Sequence, residues 1–121
     1  MRHFIQGRLP KQIHTLFSGL DYYFHDIKND ILSMKCVMHE RPFPRFHLYI
    51  RRFENGTELD LHIDQEHPHK NGNHEEEWAY EGPIIKKELK RILKHITYLR
   101  EQPVAFTMQS KKSFFKILMS R

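Results

Sequence analysis

The chain has 121 residues, which suits one domain, and its 39% apolar and 29% charged residues are an ordinary globular balance. Nine Phe, five Tyr and one Trp argue against disorder, which needs few aromatic side chains. No apolar run approaches the roughly 20 residues of a membrane span, and the first residues lack the apolar stretch of a secretory signal. A single cysteine, Cys36, excludes an intrachain disulfide and fits a reducing compartment. These features predict a small cytoplasmic protein, a single domain over residues 1–121, with no membrane partner.

Charge is distributed unevenly along the chain, although the formal net charge is +5. Residues 1–53 carry a net charge of +5, residues 54–81 carry −8, and residues 82–121 carry +8. The sequence pI of about 9.4 favours a polyanionic partner such as nucleic acid. The acidic middle segment weakens that prediction, because part of the basic surface could face it.

Residues 9–32 show the spacing of an amphipathic helix. Apolar side chains recur three or four residues apart, at Leu9, Ile13, Leu16, Phe17, Leu20, Tyr23, Phe24, Ile27 and Ile31. Pro10 suits the first turn of a helix, where its missing N–H costs nothing. Gly19 weakens the helix interior by about 1 kcal/mol relative to Ala. We therefore expect one long helix over about 9–32, a short strand over 34–40, and a proline-containing connector at 41–45.

Residues 46–65 carry the pattern of a β-hairpin. Asn55-Gly56 lies between two alternating segments, and this dipeptide is typical of a type I′ turn, in which both residues need positive φ. A two-residue loop at 55–56 predicts that Arg51 lies opposite Asp60 and His47 opposite Asp64. One face would then be apolar, with Phe46, Leu48, Ile50, Leu59, Leu61 and Ile63. The other face would be ionisable, with His47, Tyr49, Arg51, Phe53, Glu58, Asp60, His62 and Asp64.

The rest of the chain predicts a polar loop, a second helix and a mixed tail. Residues 66–81 form a long, histidine-rich connection. Residues 83–100 have an apolar stripe on one side and basic side chains on the other. Residues 103–121 contain two apolar segments, which favour a second hairpin, with a strand and a helix as the alternative. Together these elements predict a two-layer α+β fold, in which an antiparallel sheet of three to five strands, built around the hairpin 46–65, carries the helices 9–32 and 83–100 on one face.

The ionisable hairpin face is the first candidate site. Two imidazoles and a carboxylate on one face could act as catalytic groups, and the candidates for that role are His47, His62 and Asp64. The same residue types bind zinc, manganese or nickel, and the candidate metal ligands are His62, Asp64, His67, His69 and His74. A solvated sheet face followed by a polar loop is the simpler alternative, because no established metal-binding motif is matched.

Basic side chains form a second candidate site, for phosphate groups or nucleic acid. Its members are Lys86, Lys87, Lys90, Arg91 and Lys94 on the second helix, with Arg51 on the hairpin. The alternative is an ordinary solvated helix face. Aromatic and methionine side chains near the C-terminus, with uncovered strand edges, also favour a homo-oligomer.

Two functions remain open from the sequence. The first is a small binding or interaction domain that uses the ionisable sheet face and the histidine-rich loop for recognition. The alternative is a hydrolase, with or without a divalent metal, that acts on phosphodiesters or nucleotides through the same histidines and aspartate.

Overall fold

The structure is a computed structural model that describes residues 1–65 and 77–102. Its elements are β1 (Arg2–Gln6), α1 (Ile13–Ser18), β2 (Tyr23–Lys28), β3 (Ile31–Val37), β4 (Arg45–Phe53), β5 (Gly56–Asp64), α2 (Glu77–Tyr80) and α3 (Pro83–Arg100). The five strands form one antiparallel sheet in the order β1-β5-β4-β3-β2. The predicted α+β class is confirmed. The predicted C-terminal hairpin and most of the predicted polar loop lie outside the described residues.

The predicted long helix over 9–32 is wrong. A helix forms only over Ile13–Ser18, and the chain then reverses at Asp21, whose φ is +71°. Residues 23–28 form the edge strand β2, in which Phe24 and Ile27 are half exposed or more. Their helical spacing is therefore coincidental, and the run of aromatic residues at 22–24 follows the strand preference of such side chains instead. The strand predicted at 34–40 also begins earlier, at Ile31, and ends at Val37.

Among the described residues, the hairpin turn with two positive φ angles lies between β2 and β3. Asn29 and Asp30 have φ of +51° and +63°, and Lys28 pairs with Ile31 across them. Two adjacent left-handed residues match a type I′ turn, and Asn and Asp tolerate that conformation better than other non-glycine residues.

The predicted hairpin between β4 and β5 forms, but its register is displaced by two residues. The turn residues are Glu54 and Asn55, and Phe53 pairs with Gly56. Neither Asn55 nor Gly56 has a positive φ, so the predicted type I′ turn at 55–56 is wrong. The predicted pairs Arg51–Asp60 and His47–Asp64 are not directly opposite, since Arg51 pairs with Glu58 and His47 with His62. A displacement of two residues leaves every side chain on its predicted face.

The need for a glycine at position 56 comes from the neighbouring strand β1 rather than from the turn. A Cβ built at this position would collide with the carbonyl oxygen of Ile5 and with the ring of Phe4, both on β1. The Phe4 ring lies over the glycine and contacts Phe53 at a centroid distance of 6.2 Å. The absence of a side chain at Gly56 therefore lets β1 add to the edge of the hairpin.

The hydrophobic core combines apolar side chains of the central hairpin with buried side chains of α1 and α3. The predicted apolar face is confirmed: Leu48, Ile50, Leu59, Leu61 and Ile63 are 2% exposed or less. The same cluster contains buried side chains of α1 and α3, namely Ile13, Leu16, Phe17, Ile85, Leu89, Ile92 and Ile96. Helix α3 begins and ends where the sequence predicts, with Gly82 at its N-cap and Pro83 in its first turn. No helix in the described residues combines the length and hydropathy that a membrane crossing needs.

A buried polar network fastens α3 to the start of β2. The Tyr22 hydroxyl donates to Glu88 at 2.6 Å, and Arg91 donates to the same carboxylate at 2.8 and 2.9 Å and to the Leu20 carbonyl at 3.0 Å. Because Glu88 is only 6% exposed, these donors replace the water that its charge would otherwise need. Burial and the neighbouring Glu88 carboxylate raise the pKa of the nearby Cys36 thiol to about 11.

We expect a side chain at Gly56 to destabilise the sheet. Gly56→Ala should lower the free energy of unfolding by about 1–3 kcal/mol, because β1 must move away from the new Cβ. Urea denaturation measures the change. Gly19→Ala is the control, since its Cβ meets no atom closer than 3.4 Å and φ is −67°. An unchanged stability in Gly56→Ala would contradict the close approach of β1.

The Cys36 thiol should resist alkylation in the folded protein. An unfolded thiol ionises near pH 8.5, whereas the folded thiol stays protonated until about pH 11. At pH 8.5 about half of the unfolded thiol but less than about 1% of the folded thiol is ionised, so iodoacetamide should modify the native protein about 100-fold more slowly than the urea-denatured protein, or slower still. Because the unfolded state loses this proton first, the contribution of Cys36 to stability falls as pH rises above about 8.5. A native alkylation rate that levels off near pH 9 would contradict the raised pKa.

Candidate functional site

The side of the sheet opposite the hydrophobic core carries ionisable side chains, and we call it the polar face. Alternation along three adjacent strands places them there, because successive residues of a strand point to opposite sides. Several are largely withdrawn from water: Ser33, Lys35 and His47 are 2%, 5% and 8% exposed. Polar side chains on an outward sheet face are usually solvated, so their low exposure marks this region as a candidate site.

The centre of the polar face joins His47, His62 and Asp64, the three predicted catalytic candidates. His47 and His62 are directly opposite in the register, and Asp64 lies diagonally from His47. His62 Nε2 is 2.9 Å from Asp64 Oδ1, and His47 Nδ1 is 3.1 Å from Asp64 Oδ2. The Asp64 carboxylate therefore accepts hydrogen bonds from two imidazoles, that of His62 on its own strand β5 and that of His47 on the neighbouring strand β4.

Two cationic side chains face the Oδ2 atom of Asp64. Arg45 Nε donates to Asp64 Oδ2 at 3.2 Å, and the Lys35 ammonium lies 4.0 Å from the same oxygen. The Arg45 guanidinium is also held over the ring of Phe43, with a distance of 4.2 Å to the centroid. The carboxylate thus contacts His62 through Oδ1 and the two cationic side chains through Oδ2, while His47 Nδ1 lies near both oxygens.

These contacts change the protonation of the site. Burial alone raises the pKa of Asp64, but the hydrogen bonds and charges of His47 and His62 outweigh it and hold that pKa far below its ordinary range. Burial and the Arg45 charge lower the pKa of Lys35, against the opposing effect of Asp64. Burial and the nearby aspartates raise the pKa of Tyr49. Asp64 is therefore an anion throughout the neutral range.

Ser33 extends the cluster across a third strand. Its Oγ is 2.6 Å from His47 Nε2, while His47 Nδ1 faces Asp64. Because an ionised carboxylate only accepts hydrogen bonds, the proton of a neutral His47 ring lies on Nδ1, and Nε2 then accepts from Ser33. The sequence analysis missed Ser33, which the register of β3 against β4 places beside His47.

His25 is a second member that the sequence analysis missed. A register irregularity between Phe24 and Asp26 interrupts the regular pairing of β2 around it. The His25 ring lies edge-on to His47 at 6.0 Å, and both line a cavity of about 340 Å³. The same cavity is lined by Asp26, Lys28, Asn29, Ile31, Ser33 and Tyr49. Because the sequence pattern predicts a helix over residues 9–32, it does not predict His25 on this face.

Aromatic rings stack around the imidazoles. Tyr80 of α2 is nearly parallel to His62 at a centroid distance of 5.3 Å, and Tyr49 lies 4.4 Å from His47 and 5.7 Å from His62. These contacts fix the planes of both imidazole rings. The Tyr49 and Tyr80 side chains remain 36% and 37% exposed, so both are more accessible than the imidazoles that they contact.

Of the remaining predicted site residues, those that the structure describes do not join the central cluster. His67, His69 and His74 lie outside the described residues. Arg51 lines a second cavity of about 300 Å³ on the polar face, with Arg2, Ile31, Tyr49, Glu58 and Asp60. The lysines Lys86, Lys87, Lys90 and Lys94 are exposed on α3. Arg91 instead bonds Glu88 and the Leu20 carbonyl, so its guanidinium takes part in the network that fastens α3.

The central cluster has the chemistry of either a metal site or an acid–base site. Each of His47, His62 and Asp64 offers one ligand atom, and these atoms lie within 4.8 Å of one another. Two imidazoles and one carboxylate could hold a divalent transition metal. Without a metal, a carboxylate that orients an imidazole is the arrangement of a general base.

Comparisons with protein-family models, with curated proteins and with solved structures gave no match. The function is therefore argued from the geometry of the polar face.

Removal of the Asp64 carboxylate should destabilise the sheet more than removal of its neighbour on the same face. Asp64→Ala leaves His47, His62 and Arg45 without their acceptor, so we expect a loss of about 2–3 kcal/mol. Asp60→Ala removes only contacts of 3.4 Å to Arg2 and 3.6 Å to the N-terminal amine, and should cost less than about 1 kcal/mol. Equal losses in urea denaturation would contradict the central role of Asp64.

Proposed function

We propose that this protein is a binding domain whose polar face recognises a small ligand that carries a ring and a phosphate group, such as a nucleotide. The observation that carries the proposal is the withdrawal of Ser33, Lys35 and His47 from solvent on the face turned away from the core. A face that served only solubility would leave these groups hydrated. Perturbed ionisable groups beside a cavity are typical of ligand sites.

Tyr49 supports the ring specificity of this ligand. It contributes to both cavities, of about 340 and 300 Å³, and so stands between them. These volumes are at the lower end of those that hold small ligands. An exposed aromatic ring gains about 1–3 kcal/mol from a stacked nucleobase.

Charged side chains in the two cavities support the phosphate specificity. Arg2 and Arg51 line one cavity, and Lys28 and His25 line the other. Guanidinium groups match the geometry of phosphate oxygens. Carboxylates in the same cavities can accept hydrogen bonds from the hydroxyl and amino groups of a nucleoside. The polar face therefore has side chains suited to the base, the sugar and the phosphate of a nucleotide.

The test is titration of the metal-free protein with adenosine monophosphate, followed by NMR chemical shifts. Binding should shift the backbone signals of Tyr49 and Arg51, and Tyr49→Ala should raise Kd by about 5- to 150-fold through the lost stacking. Arg51→Ala should weaken binding as well. Lys94→Ala on α3 is the control and should leave Kd unchanged. Shifts confined to α3, or no saturable binding at millimolar ligand, would contradict the proposal.

A second candidate function is cleavage of a phosphodiester, and the two imidazoles in one cavity favour it. His47, oriented by Asp64, would accept the proton of the attacking 2′-hydroxyl of RNA through Nε2, once the Ser33 hydroxyl turns away from that nitrogen. The new bond forms between that oxygen and phosphorus, and the bond from phosphorus to the 5′-oxygen breaks. His25 in its protonated form would give its proton to this leaving oxygen. His62 would hold Asp64 in place from the other side.

Cleavage of the dinucleotide UpA, followed by chromatography, distinguishes the two functions. A nuclease should release a cyclic phosphate in the presence of EDTA, and His25→Ala and His47→Gln should each lower the rate about 100-fold or more. His14→Ala, an exposed histidine of α1, is the matched control. Binding of the nucleotide without turnover would eliminate the nuclease and leave the binding domain.

A further inference from the structure

We propose that His47, His62 and Asp64 bind one divalent transition-metal ion of the zinc class. This inference goes beyond nucleotide recognition and does not depend on it. The donor atoms belong to the described strands β4 and β5, and a direct pairing and a diagonal pairing bring them together. The metal would therefore join two strands at the centre of the polar face.

Separations between the donor atoms fit the first shell of a small metal ion. Zinc bonds to imidazole nitrogen and carboxylate oxygen are about 2.0–2.2 Å, so ligand atoms on a tetrahedron lie about 3.3 Å apart. Asp64 Oδ1 is 2.9 Å from His62 Nε2 and 3.3 Å from His47 Nδ1. All three ligand atoms lie within 4.8 Å of one another, so side-chain rotations of about an ångström or less would bring them to this spacing.

Ser33 supplies the support that a ligating imidazole needs. When His47 binds the ion through Nδ1, its single proton moves to Nε2, and the ring stays neutral. Ser33 Oγ, 2.6 Å from Nε2, is then the acceptor of that N–H. Metal-bound histidines nearly always donate their other ring N–H in this way, and the partner fixes the ring orientation.

Arg45 and Lys35 play the corresponding role for the carboxylate. Arg45 Nε donates to Asp64 Oδ2 at 3.2 Å, which holds the carboxylate with Oδ1 toward His62. The Lys35 ammonium lies 4.0 Å from Oδ2. These two charges repel a dication, so we expect a Kd of about 1–10 μM rather than nanomolar binding.

Low exposure and ring stacking organise the site in advance. The side chains of His47, His62 and Asp64 are 10%, 15% and 21% exposed. Tyr80 stacks on His62 and Tyr49 contacts His47, so neither imidazole must be ordered when the ion arrives. The imidazole nitrogens favour zinc, cobalt or nickel over magnesium and calcium, which prefer all-oxygen ligands.

The test uses the full chain, first treated with EDTA and then titrated with CoCl2, ZnCl2 and MgCl2 by calorimetry and absorption. One Co²⁺ should bind per chain with visible d–d bands, Zn²⁺ should displace it, and Mg²⁺ should not bind. In the ¹⁵N spectrum of the wild-type imidazoles, zinc should shift Nδ1 of His47 and Nε2 of His62. Because this measurement needs no variant, it tests the ligand atoms independently of folding.

Variants give the second measurement. His62→Gln and Asp64→Asn should raise the Kd for Zn²⁺ at least ten-fold, and Ser33→Ala should raise it about 10- to 100-fold. His14→Ala is the control and should bind normally, and circular dichroism checks the fold of each protein. No saturable binding up to 1 mM Zn²⁺, or zinc shifts at other histidines only, would overturn the proposal. Because the nucleotide titrations contain no metal, the two proposals are tested independently, and failure of one does not affect the other.

Discussion

The pairing of β4 with β5 is the constraint on which the core and the candidate site both depend. A β-strand alternates its side chains strictly, so one pairing creates an apolar face and an ionisable face together. Leu48 and Leu61 are directly opposite on the core side, and His47 and His62 are directly opposite on the polar face. A displacement of β5 by one residue would turn Leu61 toward water and His62 toward the core.

Electrostatics at the polar face follow from this pairing. Asp64 is withdrawn from water, which by itself penalises its charge, yet hydrogen bonds from two imidazoles keep it ionised. Arg45 and Lys35 face the Oδ2 atom of this carboxylate. The charge is therefore satisfied by protein groups rather than by solvent, and a buried group satisfied in this way is held in one geometry. That fixed geometry makes the cluster suitable for binding a ligand or an ion.

Sequence spacing misled most where two periodicities overlap. Residues 24, 27 and 31 are spaced as on a helix, but Phe24 and Ile27 lie exposed on an edge strand. The Asn-Gly dipeptide at 55–56 gave a wrong turn prediction for a different reason. Gly56 is needed for the close approach of β1, and the left-handed turn residues are Asn29 and Asp30. Helix α3 was predicted correctly because its 18 residues repeat the helical period several times between a Gly-Pro start and a proline after its end.

The sequence by itself determined the α+β class, the helix at 83–100, the two faces of the central hairpin, and the candidates His47, His62 and Asp64. These depend on local periodicity, which a chain expresses before it folds. Only the tertiary structure decided that Ser33 and His25 join the site and that Arg91 donates hydrogen bonds to Glu88. The reason is that β2 and β3 meet β4 through long-range pairing, and the register of such pairing depends on which surfaces fit together rather than on local spacing.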